Sequence, residues 1–434
     1  MACIRALLWL LSLGGLTALH QPYDDAMLTL TSVGTPDPFV NSFCGRYYFT
    51  YTTGNRIEVW SSGSLVDIEA SATRHQIWQP PPGSNHSADI WAPELHALRG
   101  RWYIYYAAAD PKRGNESHRM YVLGGPPATE APCSGQWEFL GPIQDMPDQW
   151  AIDGTVFELE DQLYLAYSGW PLASSELYQP GRENIQYGYP PQYSLDNLVE
   201  HDTHTDRPSN ASSNANATVG TDTSGLVQNL FILHLSDPST AGSKPAAISL
   251  PSQPWEITHD GAGAHAINEG PQWLSSPDGQ WRGLVYSCAG SWTHEYKMAT
   301  LKYRGGEPLE ASSWQKAKAP LLQTQKRSET GPFGPGHGSF LDVGGGNIIS
   351  VYHATDGPDD GWGNRKARVQ RVTFTEKGPY MGKSFGVDYP GRGFVARIKA
   401  VVGGHKTTRR SETGDLRAFL EARQVESQDK KTEM

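Results

Sequence analysis

Five times along this chain a polar residue precedes a turn that opens an aromatic, alternating run. Asp37 precedes Gly45-Arg46-Tyr47-Tyr48-Phe49-Thr50-Tyr51, and Glu94 precedes Gly100-Arg101-Trp102-Tyr103-Ile104-Tyr105-Tyr106. Asp153 precedes Asp161-Gln162-Leu163-Tyr164-Leu165-Ala166-Tyr167, Glu269 precedes the run Gly279 to Tyr286, and His337 precedes the run Gly345 to Tyr352. In each case the polar residue lies six to ten positions before the turn residue. Short apolar or alternating runs bounded by turn residues follow strand periodicity. Five such units match blades of about four strands, within the ~4 to 8 blades of known propellers. The expected fold is therefore all-β, a five-bladed β-propeller. In that architecture the innermost strand of each blade lines a central channel, so the five polar residues converge.

The repeats begin near residues 45, 100, 161, 279 and 345, so one interval is about twice the others. The excess falls in 171–226, where Ser, Asn, Thr, Asp and Gly dominate from Asp202 to Ser224. This reads as an inserted surface loop. Tyr178, Tyr187, Tyr189 and Tyr193 either pack this loop onto the body or line a cleft rim. The expected organisation is a signal peptide over 1–18, a propeller over 30–378 and a disordered tail over 379–434. The N-terminus has Arg5 ahead of a short apolar stretch, Ala6 to Leu16, with small residues near Ala18, which is secretory grammar too short to span a bilayer. Sequons at Asn85, Asn115, Asn210 and Asn216 fit a secreted, extracellular chain.

A formal net charge of −10 and no basic patch in the body exclude a nucleic-acid partner as the expectation. No membrane partner is expected either, and the chain is expected to act as a monomer. With Cys3 in the signal segment, Cys44, Cys133 and Cys288 remain, which permits one disulfide or none. Cys288 reads as a small core residue. The 46 Gly and 31 Pro suit many tight turns.

Three of the recurring acids sit in apolar settings: Thr35-Pro36-Asp37-Pro38-Phe39, Ile152-Asp153-Gly154-Thr155 and Asn268-Glu269-Gly270-Pro271. Acids on buried strands are costly unless paired or functional. Any one alone would read as a turn cap or ion-pair partner; three at recurring positions imply a shared polar pocket. Such a set serves glycosidic hydrolysis, with one carboxylate activating water and one carboxylic acid protonating the leaving oxygen. A third carboxylate raises the pKa of the acid by like-charge repulsion.

These motifs, with Ile90-Trp91-Ala92-Pro93-Glu94-Leu95-His96, resemble glycoside hydrolase family 43, the inverting five-bladed propeller enzymes, over roughly Pro36 to Phe374. The resemblance implies that Asp37 is the general base, Glu269 the general acid and Asp153 the modulator of pKa. Trp91, Glu94, His96, Trp170 and Trp292 are candidate substrate contacts; Trp91 reads equally as core, and Glu94 equally as a structural acid. Gly336-His337-Gly338 resembles the family's axial histidine, which implies a structural calcium or sodium ion held through water and no required cofactor. Arg365 and Arg368 are expected at the surface, with a substrate hydroxyl as the alternative. The segments at Trp91 to His96, Tyr167 to Trp170 and Gln228-Asn229 look most like α-L-arabinofuranosidases. The expected function is exo-acting removal of arabinofuranose from plant cell-wall polysaccharide or oligosaccharide. β-Xylosidase or endo-arabinanase activity is the alternative within the family, and a non-catalytic carbohydrate-binding propeller is the alternative outside it.

Overall fold

A computed structural model describes residues 26–178, 226–261, 263–324, 331–382 and 385–386. The strands form five blades in chain order. Blade I comprises Phe39–Phe43, Arg46–Thr50, Ile57–Ser62 and Thr73–Trp78; blade II comprises Ala88–Leu98, Arg101–Ala109, Arg119–Pro127 and Glu138–Pro142. Blade III runs Ala151–Leu159, Gln162–Gly169 and Val227–Asp237, with Ala246–Ser249 outermost. Blade IV runs Gly263–Ser275, Arg282–Cys288, Lys297–Tyr303 and Trp314–Lys316. Blade V runs Phe333–Asp342, Ile348–Thr355 and Lys366–Thr375.

The fourth strand of blade V comes from the other end of the chain. Ala26–Thr29 pairs antiparallel with Lys366–Thr375, with Met27 opposite Gln370 and Leu28 opposite Val369. The five innermost strands touch one another in cyclic order, blade V meeting blade I as the others meet their neighbours. The fold is a five-bladed β-propeller.

The aromatic runs found in the sequence are the second strands of the blades, and packing explains their composition. Successive residues point to opposite faces of a strand, and both faces of each blade are covered. In blade II, Trp102, Ile104 and Tyr106 pack with Phe39, Tyr48 and Val59 of blade I. The alternate residues Tyr105 and Ala107 pack with Val156, Leu165 and Phe231 of blade III. Equivalent clusters lie between blades III and IV, IV and V, and V and I. The core is thus divided among the five blade interfaces, and none of it fills the axis.

The innermost strands of blades II to V each carry a residue in the left-handed backbone region, Ala92 (φ 44°), Asp153 (φ 57°), Gly270 (φ 53°) and His337 (φ 51°), and Asp37 (φ 54°) takes the same conformation just before Phe39–Phe43. The next residue is Pro38, Pro93, Gly154, Pro271 or Gly338. In blades II to V the ladder loses register at this point, between Trp91 and Glu94, Ile152 and Thr155, Glu269 and Gln272, and Gly336 and Ser339. This is bulge chemistry: an unpaired residue re-aims the strand, and proline has no N–H to give a ladder. A left-handed non-glycine residue costs about 1–3 kcal/mol, so four such residues at equivalent places are held there by their surroundings. The five-fold equivalent positions are therefore Asp37, Ala92, Asp153, Gly270 and His337. The sequence reading placed Glu94 and Glu269 in that register; they stand two residues after and one before it.

Three boundaries differ from expectation. The propeller begins before residue 30, because Ala26–Thr29 completes blade V. It continues past 378: Gly378–Tyr380 pairs with the end of Lys366–Thr375, Met381 is fully buried, and Phe385–Gly386 pairs with Ala26 and Met27. The inserted segment starts later than 171, since Leu172 is buried in the core between blades II and III and Tyr178 packs onto that between III and IV. The signal segment 1–18, most of the insertion with Tyr187, Tyr189, Tyr193, Asn210 and Asn216, and the tail beyond residue 386 lie outside the described residues. Asn85 and Asn115 are exposed. Cys44, Cys133 and Cys288 are all free thiols, with Cys288 fully buried in the core.

Candidate active site

The kinks of blades I, III and V bring three polar side chains to one place. His337 Nδ1 lies 3.3 Å from Asp37 Oδ1 and 4.0 Å from Asp153 Oδ2. The Gly270 N–H donates to Asp153 Oδ2 at 3.1 Å, which sets the residue after Glu269 against that carboxyl. Gly270 has no room for a side chain: a Cβ there would sit 3.3 Å from the His337 ring, on a backbone already left-handed. Asp37, Asp153 and Glu269 keep 9%, 5% and 7% of their surface exposed, so none is sealed away from solvent.

Their environments drive the three carboxyls apart. Burial acts to raise Asp37, but it is outweighed by the Arg365 guanidinium, whose Nη1 lies 3.1 Å from Oδ1, and by a hydrogen bond from the Thr52 hydroxyl to Oδ2 at 2.7 Å. Asp37 is held well below the usual carboxylate range and is ionised. Thr52 is oriented in turn by the Ala92 N–H, which donates to its oxygen at 2.7 Å. His353 accepts the backbone N–H of Asp37 at Nδ1, 3.1 Å away. An acceptor Nδ1 belongs to neutral imidazole, and burial holds the His353 pKa well below its ordinary value. His353 therefore fixes the backbone of Asp37 through this hydrogen bond.

Glu269 moves the other way. Burial pushes its carboxyl up to about 7, with Asp37 adding repulsion and a hydrogen bond from the Tyr296 phenol (2.8 Å) opposing the rise. Asp153 is also raised well above its ordinary value, first by burial and then by Glu269 and Asp37. Burial is the leading cause in both, and carboxyls so buried retain protons towards neutral pH.

The strand holding Glu269 is anchored from behind. Glu256, fully buried, accepts hydrogen bonds at Oε1 from Lys316 Nζ (2.7 Å), Tyr286 (2.8 Å) and Asn268 Nδ2 (2.8 Å). Its Oε2 accepts the N–H groups of Ser252 and Gln253. Asn268 Oδ1 accepts from Ser249 and Lys316, and its carbonyl accepts from Ser168. Every polar group of the Asn268 side chain is engaged, which fixes where Glu269 projects.

The other expected contacts are placed differently. Glu94 is buried, with Oε2 2.8 Å from His96 Nε2 and Oε1 accepting from Gln272; its carboxylate is committed within the channel. Trp91 stacks on His118 with ring centroids 4.0 Å apart, and Trp170 stacks on Trp150 at 5.0 Å, both against the core between blades II and III. Trp292 donates to Asp260 and meets the exposed Trp362 edge-on at 5.7 Å. Neither expected surface arginine is at the surface. Arg365 is largely buried beside Asp37, where the carboxylate compensates its charge. Arg368 is fully buried and paired with Asp356. The sequence reading did not single out Thr52, Tyr296 or His353. The one signal was His353, a polar residue within an apolar strand run.

The propeller gathers three carboxyls here, Asp37 and Asp153 at the kinks of blades I and III and Glu269 one residue before that of blade IV. The chain belongs to glycosyl hydrolases family 43, whose model matches residues 30–187 and 218–380. Among curated proteins it is similar to an extracellular exo-α-(1→5)-L-arabinofuranosidase of Streptomyces avermitilis, 28% identical over 347 residues. That match covers 77% of this chain but 58% of the relative, so the chain spans little more than half that protein's length. A protein of the same name from Streptomyces chartreusis is 26% identical over 338 residues, covering 77% of this chain and 82% of the relative. Among solved structures, an α-L-arabinofuranosidase from Lactobacillus brevis matches with a TM-score of 0.62 at 26% identity, over 82% of this chain and 96% of that one. A thermostable family-43 glycoside hydrolase matches with a TM-score of 0.57 at 21% identity, over 81% and 95%, and speaks to the fold alone.

Proposed function

We propose that this protein is a secreted, exo-acting α-L-arabinofuranosidase that works as a monomer on arabinan or arabinose-decorated plant polysaccharide by single displacement. The observation that carries the chemistry is the opposed pair in one pocket: Asp37 held ionised by Arg365 and Thr52, and Glu269 kept protonated by burial. Opposite environments for two carboxyls are how one site runs base and acid chemistry together. The names of the two Streptomyces relatives and of the Lactobacillus structure support arabinofuranose as the sugar and release from the chain end as the mode.

In this reading Asp37 takes the proton of a water that attacks the anomeric carbon. Its Oδ1 is engaged by Arg365 and lies near His337, so Oδ2, with one bond from Thr52, is the oxygen that receives it. Glu269 gives its proton to the departing oxygen, the glycosidic bond breaks, and configuration inverts. Asp153 holds the Gly270 N–H and so fixes the backbone beside Glu269. The water requires a separation of about 6.5–9.5 Å between the two carboxyl groups.

The ion is a separate part of the proposal. No group of three His, Cys, Asp or Glu able to hold a metal occurs among the described residues, and His337 Nδ1 faces two carboxyls. These residues do not form a protein cage, so no step is routed through an ion. A calcium or sodium ion at His337 would be held by water, and chelation followed by thermal unfolding tests for it.

The test of the function is a panel of 4-nitrophenyl α-L-arabinofuranoside, linear α-1,5-arabinan, arabinoxylan and xylo-oligosaccharides, with product size and the anomer first formed both measured. Free arabinose as the sole early product, in inverted configuration, is expected from the wild type, with Asp37→Asn and Glu269→Ala inactive on arabinan. Early release of oligosaccharides, preferential release of xylose, or activity equal to that of these variants refutes the assignment.

A further inference from the structure

A carboxylic acid has two oxygens, and a general acid works only if its proton sits on the one facing the leaving group. Around Glu269 the structure distinguishes the two. The Tyr296 hydroxyl donates to Oε1 at 2.8 Å from a side chain only 1% exposed. The Tyr296 ring is stacked on His353 with centroids 5.5 Å apart and planes 8° from parallel. Gly336 flanks the ring so closely that a Cβ there would lie 2.0 Å from it. The phenol therefore cannot swing away.

The phenol has a single hydrogen, and it goes to Glu269 Oε1. An Oε1 that receives this hydrogen is a poor seat for the acid's own proton, which leaves Oε2. The same stack reaches the base, because His353 accepts the Asp37 N–H.

We propose that Tyr296, locked by its stack on His353, is a positioning residue that reserves Oε2 of Glu269 for the transferable proton and ties that acid to the backbone of Asp37. The inference rests on the reading of Glu269 as the general acid, and its test separates the two. A leaving group that departs readily needs little protonation; a sugar hydroxyl needs it fully.

Wild type, Tyr296→Phe, Gly336→Ala and Glu269→Ala are compared on 4-nitrophenyl α-L-arabinofuranoside and on an α-1,5-linked arabino-oligosaccharide. General acid catalysis is worth about 10²–10⁴-fold, so Tyr296→Phe is expected to lower kcat on the oligosaccharide by about 10- to 100-fold, and on the nitrophenyl substrate by less than about 3-fold, at similar KM. Gly336→Ala, whose Cβ would displace the phenol from Oε1, is expected to show the same selectivity. An equal loss on both substrates for Tyr296→Phe, or no loss on either, overturns the inference while a selective loss in Glu269→Ala leaves the acid assignment standing. Should Glu269→Ala lose both equally, the acid assignment itself falls. If Tyr296→Phe does not fold, Gly336→Ala decides: a selective loss supports the proposal, and a uniform or absent loss overturns it.

Discussion

Replacing Glu269 by Gln should make the protein more stable as it destroys activity, and the gain should appear only at neutral and alkaline pH. The folded state raises this carboxyl from 4.5 to about 7. Below about pH 4.5 the group is protonated whether the chain is folded or not, and burial costs nothing extra. As pH rises from 4.5 towards 7 the unfolded chain releases the proton while the folded chain keeps it, so stability falls across that window. Above 7 the full penalty applies. A shift of 2.5 units at 1.36 kcal/mol each gives about 3 kcal/mol. Glutamine carries no proton to lose, is nearly isosteric, and keeps an oxygen for the Tyr296 phenol. Relief of Asp153, which Glu269 also pushes up, adds to the gain. Thermal unfolding of both proteins at pH 4 and pH 8 should show matching midpoints at the lower pH and a rise of roughly 5 °C for the variant at the higher. Equal midpoints at pH 8, or the same difference at both pH values, would refute the claim that the site stores instability to keep its acid protonated.

The kcat/KM profile of the wild type should fall above about pH 7, as Glu269 loses its proton, and stay high well below pH 5, because Asp37 remains ionised there. Arg365→Ala removes the foremost influence lowering Asp37, so the acid limb of that profile should move up by about 1–3 pH units. Lys316→Met strips Glu256 of its cation and should cost about 3–5 kcal/mol in chemical denaturation, without a change of fold in the folded fraction. A thiol reductant should leave the unfolding midpoint unchanged, since the three cysteines of the described residues are unbridged.

The blades were legible because each second strand is covered on both faces and so writes itself as an aromatic run, such as Trp102 to Tyr106. The carboxyls were legible because an acid within an apolar strand stands out, as in Ile152-Asp153-Gly154. The register of the site was harder to read. Spacing from the turn puts Glu94, Glu269 and Asp37 in one class, but the backbone aligns Asp37 with Ala92 and Gly270. The sign that could have shown this was present: a Pro or Gly follows the kink in every blade. What surrounds the carboxyls carried no local mark. Arg365 and His353 meet Asp37 across more than 300 residues, and Tyr296 reaches Glu269 from a turn between strands. Arg365 illustrates the limit, since a lone arginine after a Gly-rich turn reads as solvated until the fold supplies its carboxylate. The closing strand Ala26–Thr29 escaped notice because its partner lies at the far end of the chain.

That closing strand sets a timetable. During synthesis Ala26–Thr29 emerges before the other strands of the propeller, yet the edge it completes, Lys366–Thr375, is made only after the first four blades. Contacts so distant along the chain form late, after the entropy of closing a very long loop has been met. Asp37 lies only a few residues beyond that strand, and its partners Arg365 and His353 belong to the final blade. The first half of the polypeptide therefore leaves the ribosome carrying a base without its counterion. Enzyme activity, in a nascent population of such chains, would count completed circles and nothing short of them.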